Sequence, residues 1–131
     1  MQPGTARSAE VVRETIRSTS GERVWVLLNH IKSDRREHFE RFVHDLLVPA
    51  IEQVEPITFR HVRFLHPTEQ NEDGSYTYIW LMDPFLADAD YEILSLLKKA
   101  YGEERAQASY QQWEENYASP QVGYMLTQSA W

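Results

Sequence analysis

The chain has 131 residues, a formal net charge of −7 and no cysteine. This length suits one domain, and the absence of cysteine excludes a disulfide framework, thiol chemistry and cysteine-ligated metal. The charge is uneven, because residues 66–131 carry three basic and eleven acidic side chains. An acidic surface without a Lys/Arg stripe repels a phosphate backbone, so nucleic acid is not an expected partner.

The beginning of the chain, MQPGTARSAEVVRE, lacks the apolar core of a secretion signal. No apolar run approaches the roughly 20 residues of a membrane span. We therefore expect a cytoplasmic protein without membrane association. Residues 1–22 are polar and predict an N-terminal arm or short helix, and residues 23–131 predict a single folded domain.

The first predicted strand is residues 24–32, VWVLLNHIK, and both of its faces are apolar. A strand buried on both faces needs a cover on each side. The following stretch, SDRREHFERFVHDLLVPAIEQVEP, predicts an amphipathic helix, because its apolar residues recur at spacings of three and four. Asp34 and Glu37 have the spacing of a capping box, and Pro49 predicts a kink or a restart of the helix.

The rest of the chain predicts a hairpin, two helices and a last strand. ITFRHVRFLHP and YTYIWLMD alternate as strands around a polar loop. A helix from Asp88 or Asp90 should end at Gly102, a further helix should cover 103–117, and QVGYMLTQ should form the last strand. This order predicts the α+β, ferredoxin-like fold, a four-stranded antiparallel sheet with helices on one face.

Side-chain chemistry gives an expectation for each face of the sheet. The face under the helices should be aliphatic, with Val24, Val26, Leu28, Val62, Phe64, Ile79 and Leu81. The opposite face should be rich in aromatic residues, with Trp25, Leu27, Asn29, Phe59, His61, Arg63, Leu65, Tyr76, Tyr78, Trp80, Met82, Val122, Tyr124 and Leu126. In water the second face would be a larger apolar patch than monomers normally expose, which predicts a two-fold homodimer.

Three segments of the chain resemble the dimeric α+β barrel proteins, which include the antibiotic-biosynthesis-monooxygenase-like families. They are VWVLLNHIK, DRREHFERFVHDLLVPAI and YTYIWLMDPFLADADYEIL, and the resemblance covers roughly residues 23–128. It implies that two sheets face each other in a closed barrel, and that each protomer of the enzymes keeps a pocket between its sheet and its helices.

The same resemblance bears on heme degradation. Asn29 and Trp80 lie where the heme-degrading members carry a functional asparagine and tryptophan. Those members also hold the iron with a histidine from the helix after strand three, and this chain has no histidine after His66. Heme degradation is therefore not expected.

Three polar residues of the predicted aromatic face are candidate catalytic residues. Asn29 and Arg63 would stabilise developing oxyanion charge, and His61 would move a proton near neutral pH. Each has a structural alternative: Asn29 as an amide bonded across the sheet or dimer, and His61 and Arg63 as partners in interface ion pairs. Four aromatic residues are candidates for substrate binding. These are Trp25, Tyr78, Trp80 and Tyr124.

Other patterns predict less chemistry. Tyr101, Tyr110, Trp113 and Tyr117 recur at helical spacing, which favours a core stripe over a pocket lining. The five histidines form no metal-ligand motif, so neither a metal nor a cofactor is predicted. Two functions stay open. One is a cofactor-independent monooxygenase or isomerase acting on an apolar or aromatic compound, and the other is a non-catalytic homodimeric binding or stress-associated module.

Overall fold

The computed structural model describes residues 17–130, so most of the predicted N-terminal arm or helix lies outside the described residues. The four strands are β1 (Arg23–Ile31), β2 (Val62–Leu65), β3 (Tyr76–Met82) and β4 (Val122–Thr127). They form one antiparallel sheet in the order β2-β3-β1-β4, and β2 and β3 form the predicted hairpin. This confirms the α+β, ferredoxin-like fold.

The helical segment between β1 and β2 is divided near Pro49, as predicted. A 3-10 turn (Ser33–Arg35) leads into α1 (Arg36–Phe42), a π-helical turn (Val43–Leu47), α2 (Val48–Val54) and α3 (Pro56–Phe59). Pro49 has no backbone N–H and cannot continue the regular hydrogen-bond pattern of the preceding helix. The chain accommodates it with the π-helical turn directly before α2. The predicted capping box is wrong, because α1 begins at Arg36 without a side-chain cap among the described residues.

Strand β2 is shorter than predicted. Pro56 occupies the first turn of α3, a position that suits its fixed φ, so residues 56–59 are helical rather than extended. Phe59 and His61 consequently lie outside the strand, which begins at Val62. The prediction that these two residues belong to a strand face is wrong.

After β3 the chain forms α4 (Ile93–Tyr101) and α5 (Glu103–Glu114). Gly102 ends α4 with a φ of 90°, as predicted, because this left-handed backbone favours glycine. Helix α4 starts later than expected, since Asp90 precedes it and accepts a hydrogen bond from the Glu92 N–H. None of the helices in residues 17–130 is long and apolar enough to cross a bilayer.

The helices cover the opposite face of β1 and β3 from the one predicted. Leu27, Asn29 and Ile31 of β1 are buried with Tyr78 and Trp80 of β3 in the core between sheet and helices. Both parities of these strands are apolar, so alternation did not distinguish them. The wide layer between sheet and helices holds the larger rings, and the indole of Trp113 from α5 stacks on Phe39 of α1 with ring centroids 5.0 Å apart.

The face away from the helices, here called the open face, is aliphatic. Cross-strand pairs place its members side by side, as for Val26 with Leu81 and Tyr124, and Leu28 with Ile79 and Val122. The full set of its apolar residues is Val24, Val26, Leu28, Leu65, Ile79, Leu81, Val122, Tyr124 and Leu126. Tyr124 and Leu126 are 53% and 52% exposed, so no part of residues 17–130 covers this face.

Candidate functional site

A cavity of about 670 Å³ lies between the sheet and the helices. Its floor is formed by the helix-covered face of β1, β2 and β3, through Trp25, Leu27, Val62, Trp80 and Met82. The helices and the segment after α5 supply its remaining walls. The volume falls in the range of about 300–1,000 Å³ that is typical of small-molecule sites.

Aromatic rings dominate the cavity. Six of its lining residues carry them, namely Trp25, Trp80, Tyr91, Tyr110, Trp113 and Tyr117. The ring of Tyr91 meets Trp25 edge-on at 5.6 Å between centroids, and Tyr117 meets Trp113 in the same way at 5.4 Å. Such contacts hold the rings in fixed positions, which gives a ligand a preformed apolar surface.

Behind the wall of the cavity, the amide of Asn29 is fully hydrogen-bonded. Its Nδ2 donates to the carbonyl oxygens of Leu27 and Tyr78 at 3.1 and 3.2 Å. Its Oδ1 accepts from the Tyr117 hydroxyl at 2.5 Å and from Gln121 Nε2 at 2.7 Å. Tyr117 and Gln121 line the cavity, whereas Asn29 is fully buried, so the amide orients two cavity residues.

The bond to Asn29 fixes what Tyr117 can offer to a ligand. Its only hydroxyl hydrogen is donated to Asn29, which leaves the phenolic oxygen as an acceptor on the cavity side. Burial raises the pKa of Tyr117 well above its usual range, so the phenol remains neutral. Tyr117 can therefore accept a hydrogen bond from a ligand N–H or O–H but cannot donate one without breaking its bond to Asn29.

Among residues 17–130, the cavity lining includes three carboxylates and no lysine, arginine or histidine. Asp90 is held by Ser95 Oγ at 2.5 Å and Lys99 Nζ at 2.9 Å. Burial alone would raise the pKa of Asp90, but these hydrogen bonds outweigh it and lower the pKa. The other two, Glu92 and Glu114, are exposed and therefore mark the mouth of the cavity.

The carboxylates of Glu92 and Glu114 both act on Tyr110. Burial is the main cause that raises the pKa of Tyr110, and the negative charges of Glu114 and Glu92 raise it further. The mouth is therefore a region of negative potential against aromatic rings.

The predicted substrate-binding residues divide between three places. Trp25 and Trp80 line the cavity. Tyr78 is fully buried, and its hydroxyl donates to Glu40 and accepts from Arg36 Nε at 3.1 Å. Burial and the bond to Glu40 raise the pKa of Tyr78 to about 12. Tyr124 lies on the open face, away from the cavity.

The three candidate catalytic residues are not brought together. Asn29 lies behind the cavity wall, while His61 and Arg63 are not among the lining residues. Arg63 is paired with Asp83 on the open-face side of β2. His61 lies just before that strand, and its Nδ1 is buried without a hydrogen-bond partner in the described part of the chain.

Several cavity residues were not singled out from the sequence. Gln121 and Glu114 lie in stretches without a motif, and nothing in the local pattern indicates them. Tyr110 and Tyr117 belong to the aromatic stripe from Tyr101 to Tyr117, for which helical spacing favours a core role. The alternative interpretation of that stripe, a pocket lining, describes three of its four members, because Trp113 also lines the cavity.

The chain has a structural likeness to a known protein. No protein-family model matches the chain, and no curated protein matches it. The chain is similar to a crystal structure from Caulobacter crescentus CB15 that is described provisionally as an antibiotic biosynthesis monooxygenase. The two chains are 17% identical over 83% of this chain and 91% of that chain, with a TM-score of 0.46.

Proposed function

We propose that this protein binds a small apolar or aromatic molecule in the cavity between its sheet and its helices. The observation that carries the proposal is a cavity of about 670 Å³ with six aromatic residues in its lining. A ligand that fills such a cavity removes apolar surface from water. Each Å² of apolar surface buried contributes roughly 25 cal/mol of favourable free energy. Two of its polar groups, those of Tyr117 and Gln121, are oriented by Asn29 and would fix how the ligand lies.

Blocking the cavity tests this proposal. Ile93 lines the cavity and is only partly buried, so Ile93→Trp should fill the space without a large cost to folding. Ile57 is 70% exposed and lies outside the cavity, which makes Ile57→Trp the matched control. With 4-tert-butylbenzyl alcohol as the probe, calorimetry should detect binding to the wild type and to Ile57→Trp. Equal binding by Ile93→Trp, or no binding by the wild type, would contradict the proposal.

The open face supports the second part of our proposal, a homodimer in which two sheets pack face to face. Its apolar residues cross all four strands, exposed on β2 and β4 and partly buried on β1 and β3, and monomers rarely leave so continuous a patch in water. A second copy is the natural cover, because a two-fold axis brings the same apolar patch onto itself. Arg63, paired with Asp83, would then lie at the rim of the interface.

A cofactor-independent monooxygenase or isomerase acting on an apolar or aromatic compound is the second candidate function. It is favoured by the hydrogen-bonded group of Asn29, Tyr117 and Gln121 beside the carboxylates of the mouth, because a carboxylate can take a proton from a bound substrate. Under air, 2-tetralone should then show oxygen uptake or accelerated hydrogen exchange at its acidic carbon. Loss of either signal in Ile93→Trp but not in Ile57→Trp would place the reaction in the cavity, and no signal above a protein-free control would reject catalysis of this substrate.

A further inference from the structure

We infer that the cavity selects ligands that carry a positive charge, such as an organic ammonium group on an apolar body. This inference rests on the proposed function, because it names the ligand class for the same cavity. It combines three observations: the charges of the lining residues, the aromatic rings beside them, and the hydrogen-bonding state of Tyr117.

The lining carries negative charge that the described part of the chain, residues 17–130, leaves partly unbalanced. Asp90 forms an ion pair with Lys99 at 2.9 Å. Glu92 and Glu114 form no ion pair with any residue between 17 and 130. A ligand that enters between Glu92 and Glu114 meets two carboxylates and no cationic side chain of the lining.

Aromatic rings stand directly beside these carboxylates. Tyr110 is close enough to Glu92 and Glu114 for their charges to raise the pKa of its hydroxyl, and Trp113 and Tyr117 follow on the same wall. The face of an aromatic ring carries negative electrostatic potential and attracts a cation placed over it. A cage of rings with a carboxylate at its edge is the arrangement that binds quaternary ammonium groups.

The hydroxyl of Tyr117 also disfavours an anionic ligand. The oxygen of Tyr117 can only accept a hydrogen bond while its hydrogen is donated to Asn29. It therefore favours a ligand that brings a donor, such as N–H or O–H, and opposes a carboxylate. The acidic excess of residues 66–131 acts in the same direction over longer distances, because it attracts cations toward this half of the molecule.

Three benzyl alcohols that differ in their para substituent test the charge preference, and the first two have the same shape. They are (4-trimethylammoniophenyl)methanol, its uncharged isostere 4-tert-butylbenzyl alcohol, and the anion 4-(hydroxymethyl)benzoate. Calorimetry at low ionic strength should give a dissociation constant for the cation about tenfold below that of the isostere, and weaker binding still for the anion. Raising the salt concentration should reduce the cation's advantage, since the carboxylates at the mouth are exposed.

Variants without the charges of Glu92 and Glu114 test whether these carboxylates cause the preference for the cation. Glu92→Gln combined with Glu114→Gln keeps the shape of both side chains and should weaken binding of the cation about fivefold, with little change for the isostere. Glu104→Gln is the matched control, because Glu104 is exposed on the first turn of α5 and does not line the cavity. It should leave all three dissociation constants unchanged.

The outcomes distinguish this inference from the proposed function. If the isostere binds as tightly as the cation, or the anion binds best, the charge preference is overturned while the cavity remains a binding site. If the double variant binds the cation as well as the wild type does, the carboxylates do not cause the preference and the inference fails. If none of the three ligands binds, both the inference and the proposed function are rejected.

Discussion

The hydroxyl of Tyr117 donates a hydrogen bond of 2.5 Å to Oδ1 of Asn29, which joins residues 88 positions apart in the sequence. This bond ties the segment after α5 to the middle of β1. The bridge between Ile31 and Tyr117 and the bond from Ala118 N–H to the His30 carbonyl reinforce the same connection. The wall of the cavity is therefore fixed to the centre of the sheet.

Replacing Asn29 with aspartate tests the role of this amide. The new carboxylate would still accept from Tyr117 and Gln121, but its second oxygen would face two carbonyl oxygens unless it were protonated. The folded-state pKa of this carboxyl should therefore rise above its unfolded value of about 3.9. The loss of stability should be about 1 kcal/mol below pH 4 and grow to about 3 kcal/mol as the pH rises to 7.

Urea unfolding of Asn29→Asp and the wild type across this pH range measures the effect. Gln107→Glu, at an exposed position of α5, is the control and should lose little stability at any pH. A cost that does not depend on pH would show that burial of charge at this position is not the cause.

Low pH should weaken the contacts that Asp83 makes with Ser18 and Arg63. Burial alone would raise the pKa of Asp83, but hydrogen bonds from Ser18 and Arg63 outweigh it and lower the pKa. A lowered pKa contributes stability above the unfolded value of about 3.9, and this stability is lost as the pH falls through the folded value. Asp83→Asn should therefore cost about 1 kcal/mol at pH 7, allowing for the exposure of Arg63, and almost nothing near pH 2.

The free energy of unfolding of the two proteins, measured against pH, gives this difference directly. Asp88→Asn changes an exposed carboxylate outside these contacts and should not reproduce it. A difference that grows toward low pH would have the wrong sign for a lowered pKa.

Placing a charge on the open face should separate the proposed dimer. Leu126 is 52% exposed in the protomer, so Leu126→Arg should fold normally but place buried charges at a two-fold interface. We expect sedimentation of the wild type as a dimer at micromolar concentration and of Leu126→Arg as a 15.4 kDa monomer. Ile57→Arg, at an exposed apolar residue away from the sheet, should remain dimeric. A monomeric wild type would refute the dimer.

A methyl group at Gly123 should narrow the cavity. A Cβ there would lie 2.9 Å from Leu27 Cδ2 and 3.3 Å from Trp25 Nε1, and both of these side chains line the cavity. Leu27 can rotate away at modest cost, so Gly123→Ala should lose about 1 kcal/mol of stability. Its affinity for 4-tert-butylbenzyl alcohol should fall severalfold by calorimetry, whereas Ser129→Ala, beyond β4, should bind normally. Unchanged affinity would place Leu27 outside the part of the cavity that the ligand uses.

The order of the elements followed from local signals in the sequence. The alternating strands around the polar loop, the helical stripe from Phe39 to Val54 and the break at Gly102 all correspond to elements of the structure. The faces of β1 and β3 did not follow, because alternation separates two sets of residues without saying which set meets the helices. The volume of the rings would have decided which set meets the helices, because the core between sheet and helices holds the large side chains of Trp80 and Tyr78.

The cavity was predictable only in part. Trp25 and Trp80 were expected to meet a ligand, and they line the cavity even though their face was assigned wrongly. Tyr117 and Gln121 acquire their role from hydrogen bonds to a residue about 90 positions away, which no local pattern encodes. The roles of Asn29, His61 and Arg63 in catalysis stay predictions.

The parity of β1 has a consequence for mutational scanning. The side chains of Trp25 and Leu27 line the cavity, while those of Val26 and Leu28 lie on the open face, where we propose a second subunit. A stepwise polar scan along this one strand should thus produce two interleaved sets of defects. Polar substitutions at Trp25 and Leu27 should weaken ligand binding, whereas those at Val26 and Leu28 should dissociate the proposed dimer.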